Sequence, residues 1–269
     1  MLKNSIQDIT NLPIGIFDSG LGGLSVCKEV ISLLPCESII YLADSVNAPY
    51  GEKSKDEIIQ LSIKNTELLL ELGCKAIVVA CNTATTNAIS TLRKQFDVPF
   101  IGIEPATKSA ALQTKTGKIG VLATEGTLKS DLFLSTSEQF RDSLEIIETK
   151  GENLVRLIES GNIEKTKPLL EKYLHPMIEL GVDNIVLGCT HYPFLIPIIK
   201  EIVPVHVKII DSGKAVAKQT QAILGIENLL NKGTREYDNV FYTNKDLNIF
   251  ESFLSEVQIG SKTVSFRNF

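Results

Sequence analysis

The residues of this chain best suited to chemistry are two cysteines in matching places. Glu71-Leu72-Gly73, then Ile77-Val78-Val79-Ala80-Cys81-Asn82-Thr83, is echoed at a constant offset by Glu179-Leu180-Gly181, then Ile185-Val186-Leu187-Gly188-Cys189-Thr190-His191. Each copy reads as a helix end, an apolar strand, and a thiol where the strand gives out. A sulfur at the start of the following helix is placed where amide dipoles favour a thiolate. One group supplied twice, on two similar half-structures, points to a reaction that uses the same group from two sides.

Other polar residues gather at comparable strand ends. Asp18-Ser19-Gly20-Leu21-Gly22-Gly23 is a glycine-rich strand-to-helix turn, and its backbone N–H groups are expected to be free for a carboxylate or phosphate. It is not G-x-G-x-x-G, so it does not read as a dinucleotide site. Asp44-Ser45, the loop Asn47-Ala48-Pro49-Tyr50-Gly51, Thr124 and Asp211-Ser212 fall on the same side. His191, two residues past Cys189, is a candidate acid/base group; His175 and His206 lack such a context. Cys27, Cys36 and Cys74 read as small buried hydrophobes. There is no C-x-x-C or H-x-x-x-H pair to hold a metal, and no lysine set as a Schiff base for pyridoxal phosphate. No metal and no cofactor is expected.

Alternating apolar runs and helical patterns must position these groups. Strands are expected at Ile14–Phe17, Ser38–Leu42, Ala76–Ala80, Pro99–Ile103, Lys118–Ala123, Leu144–Ile147, Asn184–Gly188 and Val205–Ile210, mostly continuous in Val, Ile and Leu like parallel strands buried on both faces. Ile58–Leu72 and Lys165–Leu180 carry helical spacing, and Ser54 with Glu57 forms a capping box for the first. Ile14–Gly20 resembles Ile119–Gly126, and Ile103-Glu104-Pro105 resembles Ile210-Asp211-Ser212. The fold class is therefore α/β: two pseudo-symmetric, mainly parallel-sheet halves, from about Pro13 to Gln113 and from about Lys115 to Ile223, which bring both cysteines to one cleft if they face each other, followed by a strand–helix–strand segment that includes Val240–Tyr242 and Leu247–Val257.

Composition bounds the partners. The chain of 269 residues is 43% hydrophobic and 22% charged with net charge −5, a globular balance with no basic patch for nucleic acid. The polar Met1–Pro13 segment lacks a signal-peptide core and no run reaches the roughly 20 apolar residues of a span. A cytoplasmic protein with reduced thiols and a small polar ligand is expected, bound neither to a membrane nor to nucleic acid.

Ile14–Val26, Asp44–Gly51, Val78–Thr85 and Leu187–Phe194 resemble the signature segments of the glutamate racemases, in the aspartate/glutamate racemase superfamily. The resemblance runs from the first strand to about Asp211-Ser212-Gly213. It implies cofactor-independent interconversion of L- and D-glutamate, supplying D-glutamate for peptidoglycan. It makes Cys81 and Cys189 the catalytic pair, acting on D- and L-glutamate respectively, assisted by Asp18, His191 and Glu159. Substrate contacts would be Asp18, Ser19, Tyr50, Gly51, Asn82, Thr83, Thr190 and His191, with Thr124 added from its strand end. Where the family commonly has Ala-Cys-Pro ahead of the glutamate's helix, this chain has Lys150-Gly151-Glu152. The resemblance also implies one domain from residues 1–100 and 211–269, a second from 101–210, and a possible homodimer. Aspartate racemase, hydantoin racemase and maleate isomerase are sister activities. A cysteine hydrolase built on Cys189 and His191 would leave Cys81 without a role, and a two-lobed periplasmic-type binding module would leave both thiols unused.

Overall fold

A computed structural model describes residues 9–103, 106–233, 238–257 and 261–269. The expected counterpart Glu104-Pro105 lies outside these residues. Among the described residues ten strands, β1 (Ile14–Asp18), β2 (Ile39–Ala43), β3 (Ala76–Val79), β4 (Phe100–Gly102), β5 (Lys118–Ala123), β6 (Glu145–Lys150), β7 (Asn184–Gly188), β8 (Lys208–Ile210), β9 (Asn239–Thr243) and β10 (Lys262–Phe266), form two sheets. The first has the order β10-β9-β2-β1-β3-β4 and the second β6-β5-β7-β8. Every pairing in both is parallel.

The two orders expose the duplication. The run β2-β1-β3-β4 is repeated as β6-β5-β7-β8, and β9 and β10 extend only the first copy, at the free edge of β2. The central strands β1, β3 and β7 are buried at every position, as continuous apolar sequence requires when helices cover both faces. Edge strand β6 instead mixes partly buried and exposed residues, with none fully buried, and runs three residues beyond its expected end. β8 is shorter than expected: Val207 bonds back to Pro204 and Val205 is fully exposed, so the apolar run there spends its first part in a turn.

Among the described residues eleven α-helices connect these strands: α1 (Leu24–Leu33), α2 (Lys55–Glu71), α3 (Asn82–Gln95), α4 (Thr107–Gln113), α5 (Glu125–Leu128), α6 (Asp131–Glu138), α7 (Leu154–Glu159), α8 (Lys167–Glu179), α9 (Ile196–Ile202), α10 (Gly213–Ile226) and α11 (Leu247–Glu256). Ser54 and Glu57 form the reciprocal capping box on α2, a feature that contributes about 1 kcal/mol. α2 and α8 each end on a glycine with positive φ, Gly73 (+82°) and Gly181 (+81°), so the Glu-Leu-Gly echo is a repeated helix stop. α1 packs on α10, and one apolar cluster runs from Ile14 and Leu24 through Leu187 and Leu195 to Val216 and Phe250. Both sheets and the C-terminal return therefore share a core. No helix among the described residues is long and apolar enough to cross a membrane.

Candidate active site

Parallel sheets leave their ligand sites beyond the carboxyl ends of the strands, and these two sheets aim those ends at a common pocket. Ser19, Pro49, Tyr50, Gly51, Cys81, Asn82, Thr83, Thr124, Val155, Cys189, Thr190 and His191 line it. Both thiols are thus brought to one cavity from different sheets. The pocket holds about 10 Å³, room for roughly one water. An outer chamber of about 510 Å³ shares Pro49, Gly51, Thr124 and Val155 with it and leads to the surface. Arg156 pairs with Glu52 there, Nε to Oε1 at 3.1 Å.

Cys81 is the N-cap of α3, and its sulfur accepts the Ala84 N–H at 3.4 Å. The expected thiolate-favouring helix start is present, yet burial is the larger effect and pushes the Cys81 thiol well up. The nearby Asp18 carboxylate adds to that rise, while the Ala84 and Ser19 contacts oppose it.

Cys189 is built differently. No α-helix opens at it; a 3₁₀ turn, Tyr192–Leu195, follows before α9 begins. Instead its sulfur lies 3.8 Å from His191 Nδ1, and His191 Nε2 lies 2.6 Å from Glu159 Oε1. Residues two apart do meet here because the strand breaks straight into a turn. Burial pulls the imidazole down, but the bonds to Cys189 and Glu159 outweigh it and hold His191 well above its ordinary value. Glu159 ends α7 and is 6% exposed.

The glycine-rich turn does something other than expected. The N–H groups of Gly20 and Gly23 both donate to Asp18 Oδ2, at 3.0 and 3.1 Å, and Leu21 N–H donates to Glu159 Oε1 at 2.7 Å. These donors are committed to the protein's own carboxylates, not free for a ligand. The glycines make room: a Cβ on Gly20 would fall 1.9 Å from Glu159 Oε1, and one on Gly22 would fall 2.3 Å from His191 Nδ1. Asp18 stands behind the pocket wall, fully buried, and also accepts the Thr190 hydroxyl at 3.1 Å. Burial raises its carboxyl to about 6 against the opposing pull of His191.

Of the site residues expected from sequence, all but Asp18 and Glu159 line the pocket directly, and those two support it. Val155 escaped notice because it is one apolar residue of an ordinary helix face. Thr127 did too: its hydroxyl joins those of Thr83 and Thr124 in a triangle with edges of 3.1 to 3.4 Å. Asn82 carries a buried side-chain NH₂ with no partner. Among the described residues no cluster of three or more His, Cys, Asp or Glu side chains is placed to hold a metal.

A profile of the Asp/Glu/Hydantoin racemase family matches residues 15–220. The chain belongs to this family. It is an amino-acid racemase, and it is 44% identical over 236 residues to the glutamate racemase of Herpetosiphon aurantiacus, covering 87% of this chain and 93% of that relative. The fold superposes on glutamate racemase RacE1 of Bacillus anthracis with TM-score 0.84 at 31% identity, over 96% of this racemase and 98% of that chain. It also matches Escherichia coli glutamate racemase in complex with L-glutamate and the activator UDP-MurNAc-Ala, with TM-score 0.83 at 31% identity over 96% and 98% of the two chains.

Proposed function

We propose that this racemase interconverts L- and D-glutamate by a two-base reaction without a cofactor, with Cys81 and Cys189 as the two bases. The observation that carries the reading is the convergence of two thiols from duplicated strands on one small pocket. Racemisation removes the α-proton on one face of Cα and returns a proton on the other. Two fixed sulfurs on opposite sides do this without either one moving.

In the L-to-D direction the Cys189 thiolate takes the α-proton, and the electron pair left on Cα spreads into the α-carboxylate. The Cys81 S–H delivers its proton to the opposite face. The product leaves with Cys81 ionised and Cys189 protonated, and the reverse reaction starts from that state. His191, backed by Glu159, is positioned to exchange the Cys189 proton; Asp18, at about 6, can carry a proton near neutrality on the Cys81 side. The carbanion needs fixed donors that strengthen as charge develops. The unpartnered Asn82 NH₂ and the Thr83, Thr124 and Thr190 hydroxyls support such a role, with Ser19, Tyr50 and Gly51 as further contacts. Exclusion of bulk water from so small a space strengthens every one of these interactions.

The same reading assigns residues 1–100 with 211–269 to one domain and 101–210 to the other. The sheet memberships support this division, although β4 carries the first sheet to Gly102. It places the protein in the cytoplasm, where its D-glutamate would serve peptidoglycan synthesis. The test is circular dichroism of pure L- or D-glutamate incubated with the protein without added cofactor. Decay to zero from both sides is expected, and in deuterium oxide each product molecule gains deuterium at Cα in its first turnover. Racemisation of aspartate or a hydantoin in preference to glutamate, or product that retains its original α-hydrogen, would overturn the assignment.

A further inference from the structure

The pocket wall formed by Tyr50 and Gly51 has no sheet or α-helix of its own. It belongs to a segment of two 3₁₀ turns, Ser45–Asn47 and Tyr50–Glu52, whose backbone hydrogen bonds close only on the segment and its flanks. This segment is also where the first half meets the second. A Cβ on Gly51 would lie 2.9 Å from Thr124 Cβ, and one on Gly126 would lie 3.1 Å from Gly51 Cα. Something outside the segment must hold it.

That hold is a buried polar network centred on Asp44, which is 1% exposed. Asp44 Oδ2 accepts the Tyr50 hydroxyl at 2.5 Å, while Oδ1 accepts the side-chain NH₂ groups of Asn47 at 2.8 Å and Asn244 at 2.6 Å. The Asn65 side chain, from α2, donates to the Tyr50 hydroxyl at 3.1 Å. Asn244 Oδ1 in turn accepts the Val46 N–H at 2.9 Å. Asn244 therefore grips the segment twice, once through Asp44 and once at the backbone.

We propose that Asn244 is a positioning residue for racemisation, acting through Asp44 to fix the Tyr50–Gly51 wall against which glutamate is held. It rests on the two-base reading of the pocket. Asn244 follows β9, outside the residues matched by the family profile. An amide is required at this place because the side chain donates to a carboxylate and accepts from a backbone N–H at once. Aspartate has no donor when ionised, and serine is too short to span both partners. The thiols are carried by β3–α3 and β7, so loss of the network loosens substrate binding while leaving the proton-transfer groups in place.

The test uses Asn244→Asp, which keeps the Val46 acceptor and removes the donor to Asp44, beside Asn244→Ala, Tyr50→Phe and the Asn244→Ala/Tyr50→Phe double variant. Each folded full-length variant is measured for melting temperature, for kcat and KM with both glutamate enantiomers, and for amide hydrogen exchange. Both Asn244 variants should raise KM about tenfold, the size of one lost hydrogen bond to a charged group, with kcat within about threefold of the parent. Exchange should speed up across residues 45–52 and stay unchanged in β9, and the double variant should be no weaker in KM than the worse single one. A folded Asn244→Asp with the parent's KM, or additive losses in the double variant, would overturn the proposal. A parent protein that fails to racemise glutamate would overturn the functional reading instead, and the exchange pattern would still decide whether Asn244 holds the segment.

Discussion

The two sides of the pocket start from the same backbone plan and handle a proton differently. On one side Cys81 caps a long helix, donates nothing to an imidazole, and is backed by an acid whose carboxyl sits near 6. On the other, Cys189 meets His191, whose value its contacts with that thiol and with a buried glutamate hold well above the ordinary one. Duplication preserved where each sulfur sits and replaced what surrounds it. A symmetric substrate path would need no such change, but the enantiomers of glutamate present different groups to each side.

Thermodynamics constrains how that asymmetry can be seen. Enantiomers have equal free energy in water, so the ratio of kcat/KM in the two directions is fixed at unity for the parent and for every variant. Unequal sides must therefore show in kcat and KM separately and in isotope behaviour.

The largest effect is expected from the sulfurs themselves. Cys81→Ser and Cys189→Ser should each lose about 10³-fold or more in racemisation, measured by circular dichroism, with the melting temperature little changed. Exchange of the α-hydrogen into deuterium oxide, followed by NMR, should persist in each variant for one enantiomer only, and for opposite enantiomers in the two. A variant that still racemises near the parent's rate would dissolve the comparison.

Glu159→Gln comes next, removing the charge behind His191 and touching the Cys189 side alone. About 10- to 100-fold loss of kcat is expected, together with destabilisation on the order of 3 kcal/mol from breaking a buried pair. Because the folded protein raises the His191 value, its contribution is fully present below about pH 6.5 and is lost as pH rises through the higher folded value. Denaturant melts from pH 6 upward should therefore show a falling contribution in the parent and a flatter profile in the variant.

Asp18→Asn probes the opposite side, where the contribution to stability also falls as pH rises. Burial lifts this carboxyl from 3.8 to about 6, so folding is favoured below pH 3.8 and loses that advantage as pH rises through about 6. The ionised acid then costs up to roughly 3 kcal/mol. An asparagine can keep its oxygen on the Gly20 and Gly23 N–H groups and turn its NH₂ to Thr190. At pH 8 the variant should melt no lower than the parent while turnover falls about tenfold or more. A variant both less stable and fully active would show that Asp18 serves the fold alone.

The smallest effects belong to the remaining thiols. Cys27 is fully buried and Cys74 packs beneath Gly15. Their replacement by Ala should leave turnover within about twofold and cost on the order of 1 kcal/mol in denaturant unfolding.

What was legible in the sequence was whatever is encoded locally. The strand runs, the Ser54–Glu57 cap, the repeated Glu-Leu-Gly stops and both cysteine motifs are short patterns with a local cause. Asn244, Thr127 and Val155 were not legible, because their roles come from partners far along the chain. The local geometry of the glycine turn advertises only its backbone donors. Its occupants are Asp18 and a glutamate from the other half, and nothing within Gly20–Gly23 announces Glu159. The start of β8 failed for a different reason, since an apolar run alone does not distinguish a strand from an exposed turn.

The halves are interlocked at their working parts. Asp18 of the first holds the Thr190 hydroxyl of the second, and Glu159 of the second is seated on the Leu21 N–H of the first. Such a molecule is not modular where it matters most. A hybrid assembled from two relatives, one donating each half, would inherit mismatched fittings unless the turn at residues 18–23 travelled with Glu159 and the Cys189-Thr190-His191 segment. The parts that can be exchanged freely are therefore set by these cross-connections and not by the boundary between the two sheets.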